Sequence, residues 1–392
     1  MNRKFIPLLI LIAIASSGCK RTVEETDHLL LNLQKVETKG PENGTLLIIG
    51  GAASDMFYEK FMELVGGPEA PIVVIPTAIS SDTLDEEFLA EFKKGFLDKG
   101  FTNVTVLHTR NPEEANSEDF ILPIKNAIGV WFSGGRQWRH ADSYLNTKSH
   151  EAFNELLERG GVIAGSSAGA TIQGSYLARG DTKTHTIMMG DHELGLGFLS
   201  NVAIDQHVLT RNRQFDMFEI LDNRPELLGI GIEENTGIIV RGNRFQVVGA
   251  SYVAIYDGTR WSEERDTIYQ LPLNSREFYV INAGREYDLV KRRVITFKNR
   301  EFIILTEKQL NSISGTYQIK DGLYTVDMII ENDSVKVLQS WDEDKYPILP
   351  ESSNRFFMYN SEFSFEFESD NNGDVILFSV PSEGSIWVKV HD

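Results

Sequence analysis

Five short aliphatic runs constrain what this chain can fold into more than any other feature. They are "TLLIIGG" at 45–51, "PIVVIPTA" at 71–78, "VTVLHT" at 104–109, "AIGVWFSGG" at 127–135 and "GVIAGSSAG" at 161–169. Continuous Val and Ile runs, most of them bounded by Gly or Pro, suit strands that are covered on both faces, which is the condition of a parallel sheet. The stretches between them, such as 82–100 and 149–160, carry helical spacing with charged faces. Alternation of strand and helix predicts an α/β domain, a doubly wound and mostly parallel sheet continuing to about residue 257. Ligands of such a sheet bind at the carboxyl ends of its strands.

Beyond Asp257 the texture changes to period-two alternation with turn signals, as in "GTYQIKDGLYTVDMII", "DSVKVLQSW", "SFEFES" and "DVILFSV". This predicts a small C-terminal antiparallel β domain, with Asp321-Gly322 and Asn372-Gly373 as hairpin turns. At the other end, Arg3 and Lys4 precede an apolar run from Phe5 to Ala15, and Ser17-Gly18-Cys19 follows. This reads as a lipoprotein-type signal peptide over 1–19, with Cys19 as the lipidation site, and a polar tether over 20–43. The chain is then expected to be exported and membrane-anchored on the periplasmic or cell-surface side, or secreted if Cys19 is not lipidated. The predicted domains are an α/β domain over 44–300 and a β-rich accessory domain over 301–392. Cys19 is the only cysteine, so no internal disulfide is available. With a formal net charge of −19 and no basic stripe, nucleic-acid binding is excluded as a function class.

The fifth run ends in Gly165-Ser166-Ser167-Ala168-Gly169. A small-residue turn between strand and helix holds its central residue in strained geometry and leaves the next backbone N–H free for an oxyanion, the G-x-S-x-G register with Ser167 as nucleophile. The same glycine-serine loop is also compatible with simple capping of the following helix. A serine needs a base and a carboxylate to orient that base. His28 and His391 lie near the termini, and His140, His150 and His185 sit in polar stretches suited to solvated histidines. His192 follows Asp191 but has no further clustered ligands for a metal. His207 differs, because "NVAIDQHVLTRNRQFD" places Asp205, Gln206 and His207 after a strand-like run, with Arg211 and Arg213 following. For the carboxylate, "LLGIGIEENTGIIV" ends a run in Glu233-Glu234. Successive strand residues face opposite ways, so one glutamate points to the site, and periodicity does not choose between them.

Taken together, "FSGGRQ", "AGSSAGA", "DQHVLTRNR" and "GIGIEENTG" resemble the cyanophycinase family of serine exopeptidases over residues 44–257. That family is related to the aspartyl dipeptidases and has a fold like class I glutamine amidotransferases. The resemblance implies Ser167 as nucleophile, His207 as general base, Glu234 as the orienting acid, and Gly135 and Ala168 as backbone donors of an oxyanion hole. It implies Gln137, Asp205, Gln206, Arg211 and Arg213 in the substrate pocket, with Arg211 or Arg213 suited to carboxylates and Asp205 to a guanidinium. The implied substrate is cyanophycin, a polyaspartate with arginine on each β-carboxyl, or a related β-aspartyl peptide. No metal or organic cofactor is implied, and a homodimer is compatible with the fold. Two positions depart from the family pattern: Asp216 stands where a third arginine is expected, and Arg136 follows the glycine pair in place of an acidic or small polar residue. The C-terminal segment from about Gln309 resembles the β domain appended to many secreted serine hydrolases. Competing readings are an isoaspartyl or aspartyl dipeptidase on short peptides, and a non-catalytic peptide-binding lipoprotein.

Overall fold

The alternation of aliphatic and helical segments produces a nine-stranded sheet whose central strands are buried on both faces. In the computed structural model, residues 37–390 are described, apart from 81–83, 264–266, 273–274, 297–299, 332–333, 343, 359–362, 371 and 382. The expected signal peptide, Cys19 and most of the tether lie outside the described residues, as do His28 and His391.

The five runs become β1 (Thr45–Ile49), β2 (Ile72–Ile75), β3 (Val104–Val106), β4 (Gly129–Phe132) and β5 (Val162–Ser166). They pair in parallel in the spatial order β1-β5-β4-β2-β3. Alternate residues feed opposite layers. Leu46, Ile48, Val73, Ile75, Val130 and Phe132 enter one core cluster together with Phe120, Ile124, Phe153 and Leu156. Those partners come from α4 (Glu118–Asn126) and α6 (Lys148–Glu158), which follow α1 (Asp55–Leu64), α2 (Glu86–Leu97), the short α3 (Pro112–Ala115) and, between them, α5 (Gln137–Tyr144). Leu47, Ile49, Val74, Trp131 and Ala164 enter the other cluster, against Phe57 and Phe61 of α1 and Phe96 of α2. Helix starts follow local chemistry: the side chains of Asp85, Ser117 and Thr147 each accept a backbone N–H three residues on.

The chain then departs from a single open sheet. Strands β6 (Gly174–Tyr176), β7 (Leu199–Gln206) and β8 (Leu228–Ile232) are parallel to one another but belong to a second, five-stranded sheet. The next strands, β9 (Thr236–Arg241) and β10 (Arg244–Gly249), return antiparallel to the first sheet beside β1, and β11 (Tyr252–Tyr256) goes back to the second. Periodicity along one strand cannot reveal this division, because burial on both faces looks alike in either sheet. The period-two texture after residue 257 also serves both sheets. After the two-stranded ribbon of β12 (Thr259–Ser262) and β13 (Thr267–Gln270), β14 (Tyr279–Asn282) joins the second sheet, and β15 (Glu286–Asp288) and β16 (Arg293–Ile295) extend the first.

A closed eight-stranded antiparallel barrel follows: β17 (Gly315–Ile319), β18 (Thr325–Glu331), β19 (Ser334–Gln339), β20 (Lys345–Pro350), β21 (Arg355–Met358), β22 (Ser364–Ser369), β23 (Val375–Val380) and β24 (Ser385–Lys389). Asp321 and Gly373 take positive φ at the two turns read from sequence. A buried ion cluster joins barrel to sheet. Glu286 of β15 accepts from Arg355 of β21 and lies 3.6 Å from Arg300, while Arg244 pairs with Glu351, which is 3.5 Å from Arg355. Glu286 and Arg300 are almost fully buried.

Removing one member of such a cluster strands the others away from water. Glu286→Ala is therefore expected to lower unfolding free energy by about 3 to 5 kcal/mol, read as a shift in the denaturation midpoint. Exposed Lys94 pairs with Asp98 at the end of α2, and Lys94→Ala should leave the midpoint essentially where it was, because water screens a surface pair.

Candidate active site

Ser167 sits at the junction of β5 and the short helix α7 (Ala168–Thr171), with φ 58° and ψ −113°. Such a conformation strains any residue with a Cβ and persists only where its surroundings enforce it. Here glycines allow strand and helix to close tightly around it. A Cβ on Gly165 would stand 2.2 Å from the Gly169 carbonyl oxygen, and one on Gly169 would stand 2.1 Å from that of Phe132. The Ser167 N–H donates to the Ile49 carbonyl at 3.0 Å, which ties the elbow to β1.

Across the gap between the sheets, the Ser167 Oγ lies 2.9 Å from Nε2 of His207, which follows β7. The Nδ1 of His207 lies 2.6 Å from Oε1 of Glu234, which follows β8. Gly51 makes this approach possible: a Cβ there would fall 2.1 Å from Cε1 of the imidazole. The His207 N–H donates to the Gly50 carbonyl at 3.0 Å, and His207 itself takes φ 55°. The glycine pair ending "TLLIIGG" was visible in the sequence, but its purpose was not, because the atom it avoids is more than 150 residues away.

The two glutamates divide the work. Glu234 holds the imidazole, whereas Glu233 accepts from the N–H groups of Leu209 and Thr210 and from the Thr210 hydroxyl. Burial alone would raise the Glu233 carboxyl, but the bonds from Thr210 and the neighbouring amides outweigh it and hold the pKa below the ordinary value. Glu233 thus pins the segment after His207 while its neighbour faces the ring. Burial lowers the His207 pKa; Glu234 raises it, and Arg211 and Arg213 lower it again, leaving it below the ordinary histidine value.

The remaining residues singled out from sequence occupy distinct positions. Gln137, at the first turn of α5, is buried and donates its amide to the Ala178 carbonyl at 2.7 Å. Asp205, expected to suit a guanidinium, is buried, and its two oxygens take Nε and Nη2 of Arg179, each at 2.8 Å. Its counter-ion is internal. Gln206 accepts from Nη1 of Arg213 at 3.1 Å, and Arg213, buried on an acidic protein, is pushed down to about 10, with burial the largest cause. Arg211 is exposed. Gly135 has φ 137°, and a Cβ on its neighbour Gly134 would stand 3.3 Å from the Ser167 Cβ. Ala168 is the first residue of α7, a position whose N–H has no acceptor within the helix.

Sequence reasoning missed Arg179, a fully buried arginine that also donates to Oδ2 of Asp216 at 2.6 Å. An arginine inside the apolar stretch "SYLARGD" was the available signal. It accounts for Asp216: the carboxylate is a second partner for Arg179. The guanidinium of Arg136 donates to the Asp181 carbonyl. Arg136, Arg179, Arg211 and Arg213 all lie close enough to His185 to lower its pKa, after burial itself. The expected solvated state of His140 is also corrected. That ring is fully buried, bonds through Nε2 to the Ser133 carbonyl at 3.2 Å, and is lowered to about 4 by burial. His192 places Nε2 2.6 Å from Asp142 and Nδ1 3.0 Å from Asp191, so carboxylates occupy both nitrogens. Among the described residues no group of three or more His, Cys, Asp or Glu side chains has a metal-binding arrangement.

The sequence model described as "Peptidase family S51" matches residues 46–248. A cyanophycinase from Geminocystis herdmanii is 28% identical over 226 residues, covering 56% of this chain and 82% of the relative. One from Trichormus variabilis is 26% identical over 285 residues, covering 69% and 94%. A crystal structure of a peptidase from an acI-B1 Actinobacterium is 25% identical, with a TM-score of 0.48, covering 64% of this chain and 98% of that one.

A fluorophosphonate is expected to label Ser167, with a rate that rises with pH as His207 loses its proton. The midpoint should fall below the ordinary histidine value of about 6.5. Arg211→Ala removes a neighbouring cation and should move that midpoint upward. Glu234→Gln should move it downward and cut the plateau by roughly 10²- to 10⁴-fold. Gly51→Ala, which displaces the ring, should cost about 10²-fold or more. Labelling followed by intact mass across pH reads all four.

Proposed function

We propose, from the premise that this chain belongs to peptidase family S51, that it is a serine exopeptidase of cyanophycinase type. It hydrolyses cyanophycin, multi-L-arginyl-poly-L-aspartate, or related β-aspartyl peptides, and releases β-Asp-Arg dipeptides. The observation that carries the reading is the Ser167–His207–Glu234 hydrogen-bonded chain at a strained elbow, with Arg211 and Arg213 close enough to act on His207.

In this mechanism the Ser167 hydroxyl attacks the aspartyl carbonyl and passes its proton to Nε2 of His207. Glu234 keeps the opposite nitrogen oriented and stabilises the imidazolium as it forms. The backbone N–H groups of Gly135 and Ala168 receive the developing oxyanion. His207 returns the proton to the leaving amine, and water, deprotonated by the same imidazole, releases the acyl group from Ser167. The geometry leaves the chemistry indifferent to the two departures in sequence. Asp216 neutralises part of Arg179, and Arg136 supplies a cation from the loop after β4, so positive charge near the nucleophile is redistributed. Exposed Arg211 suits a substrate carboxylate as a planar, two-toothed donor. With Asp205 committed to Arg179, half-exposed Asp216 is the better acceptor for a substrate guanidinium.

Support for export and lipid anchoring is the segment ending at Cys19, whose basic, apolar and small-residue order suits a lipoprotein signal.

The test is incubation with purified cyanophycin and, separately, with β-aspartyl dipeptides, products being read by mass spectrometry. Release of β-Asp-Arg from the polymer is expected, and Ser167→Ala should lower turnover on the order of 10⁶-fold, to the assay floor. Cleavage of dipeptides without polymer digestion would move the assignment to an isoaspartyl dipeptidase. Tight peptide binding by parent and Ser167→Ala alike, without turnover in either, would replace the enzyme with a binding protein.

A further inference from the structure

The barrel is filled at one end and hollow at the other. Leu310 and Ile313 of α8 (Glu307–Ile313) enter the barrel core, and the Tyr317 hydroxyl donates to the Ile313 carbonyl at 2.6 Å. Lys389, at the end of β24, donates to the Ser312 carbonyl at 2.8 Å, so helix and final strand close the same end. At the opposite end, where β17 finishes and β24 begins, lies a cavity of about 390 Å³. Its walls are aliphatic and aromatic, including Val326, Val337, Phe365 and Phe378. An eight-stranded barrel is just wide enough to fill itself with side chains or to hold one small ligand, and a pocket of this volume belongs to the second kind.

The mouth carries a row of aromatic faces. Tyr324 meets Trp341 edge-on at 5.4 Å, Trp341 lies 6.3 Å from Trp387, and Trp387 stacks on Phe378 at 5.8 Å with 4° between planes. Tyr324 and Trp341 remain 60% and 45% exposed, so their faces are open to a ligand at the mouth. The charge is one-sided. Glu383 is the charged residue among the described lining, which contains no Lys or Arg; Lys320, next to Ile319, lines the neighbouring depression beside Asp321. Across residues 315–389 there are 14 Asp and Glu against 5 Lys and Arg, so the whole barrel attracts cations. Aromatic faces carry a negative quadrupole that attracts guanidinium and ammonium groups, whereas a carboxylate or phosphate entering here would find no basic side chain among the described lining.

We infer that the open end of the barrel is a second binding site, which takes a small organic cation: a guanidinium or alkylammonium group on a short apolar stem. The stem enters between the aliphatic walls, and the cationic head rests on Trp341 and Tyr324 within reach of the field of Glu383. This site is independent of the peptidase reading, since its residues belong to other strands and its chemistry is capture without turnover.

Hexylguanidinium, hexanol and hexanoate share one stem and differ in charge. Isothermal titration calorimetry of each into the full chain, with Ser167 blocked by fluorophosphonate, separates the barrel from the catalytic cleft. One hexylguanidinium per chain is expected, at least about tenfold tighter than hexanol, with hexanoate weaker still. Trp341→Ala, at an exposed position, should weaken the cation about tenfold or more, and Glu383→Gln should narrow its advantage over hexanol. Equal affinity for hexanol and hexylguanidinium, binding unchanged in Trp341→Ala, or no saturable heat from the cation would each overturn the proposal.

Discussion

The close approach of His207 to the end of β1 is the contact on which the site's geometry depends. The first sheet contributes the serine elbow after β5, and the second contributes the histidine and glutamate after β7 and β8. The His207 N–H donates to Gly50, the Asn235 N–H donates to the Gly51 carbonyl at 2.8 Å, and the missing Cβ of Gly51 leaves room for the imidazole. Backbone hydrogen bonds therefore set the spacing between sheets, and one absent methyl group allows a side chain to cross it. Ser167, held by Ile49 of the same strand, inherits its position from that junction.

Charge is organised by compensation. The chain carries a formal net charge of −19, yet four arginines gather around His185, two of which, Arg211 and Arg213, also act on His207. Their mutual repulsion is relieved internally: Asp205 and Asp216 flank buried Arg179, and the carbonyl and side chain of Gln206 take Arg213. Arg211 is left at the surface. A buried cation is tolerable only when it is paired and hydrogen-bonded, so Asp205 is spent on Arg179 inside the protein, while Asp216 supports the same guanidinium from a half-exposed position. Where barrel meets sheet, Glu286, Arg300, Arg355 and Glu351 likewise set opposite charges against one another, though Nε and Nη1 of Arg300 and Nε of Arg355 make no hydrogen bond. In the barrel the balance runs the other way, with acidic residues around an aromatic mouth.

Much of this was legible locally. Aliphatic runs bounded by glycine or proline marked the five parallel strands, since burial on both faces demands apolar residues at every position. Strict alternation marked the barrel strands, and Asp321-Gly322 and Asn372-Gly373 marked two turns because few other residues tolerate the required dihedrals. Small residues around Ser167 identified a strained turn for the same steric reason. Whatever depends on one residue and its near neighbours along the chain was determined by the sequence itself.

Tertiary structure decided the rest. The assignment of β7 and β8 to a second sheet rests on which strand edges meet, and no single run records its neighbours. Between Glu233 and Glu234 the pleat says only that they diverge; the position of the His207 ring decides that one orients the imidazole and the other anchors Thr210. Asp205 has a buried counter-ion because Arg179, 26 residues earlier, reaches it through the fold. His140 is buried by packing against Phe132 despite its polar neighbours in sequence. In each case the deciding partner is distant along the chain, and the energy that selects it, desolvation balanced by a specific hydrogen bond, exists only once the two groups have been brought together.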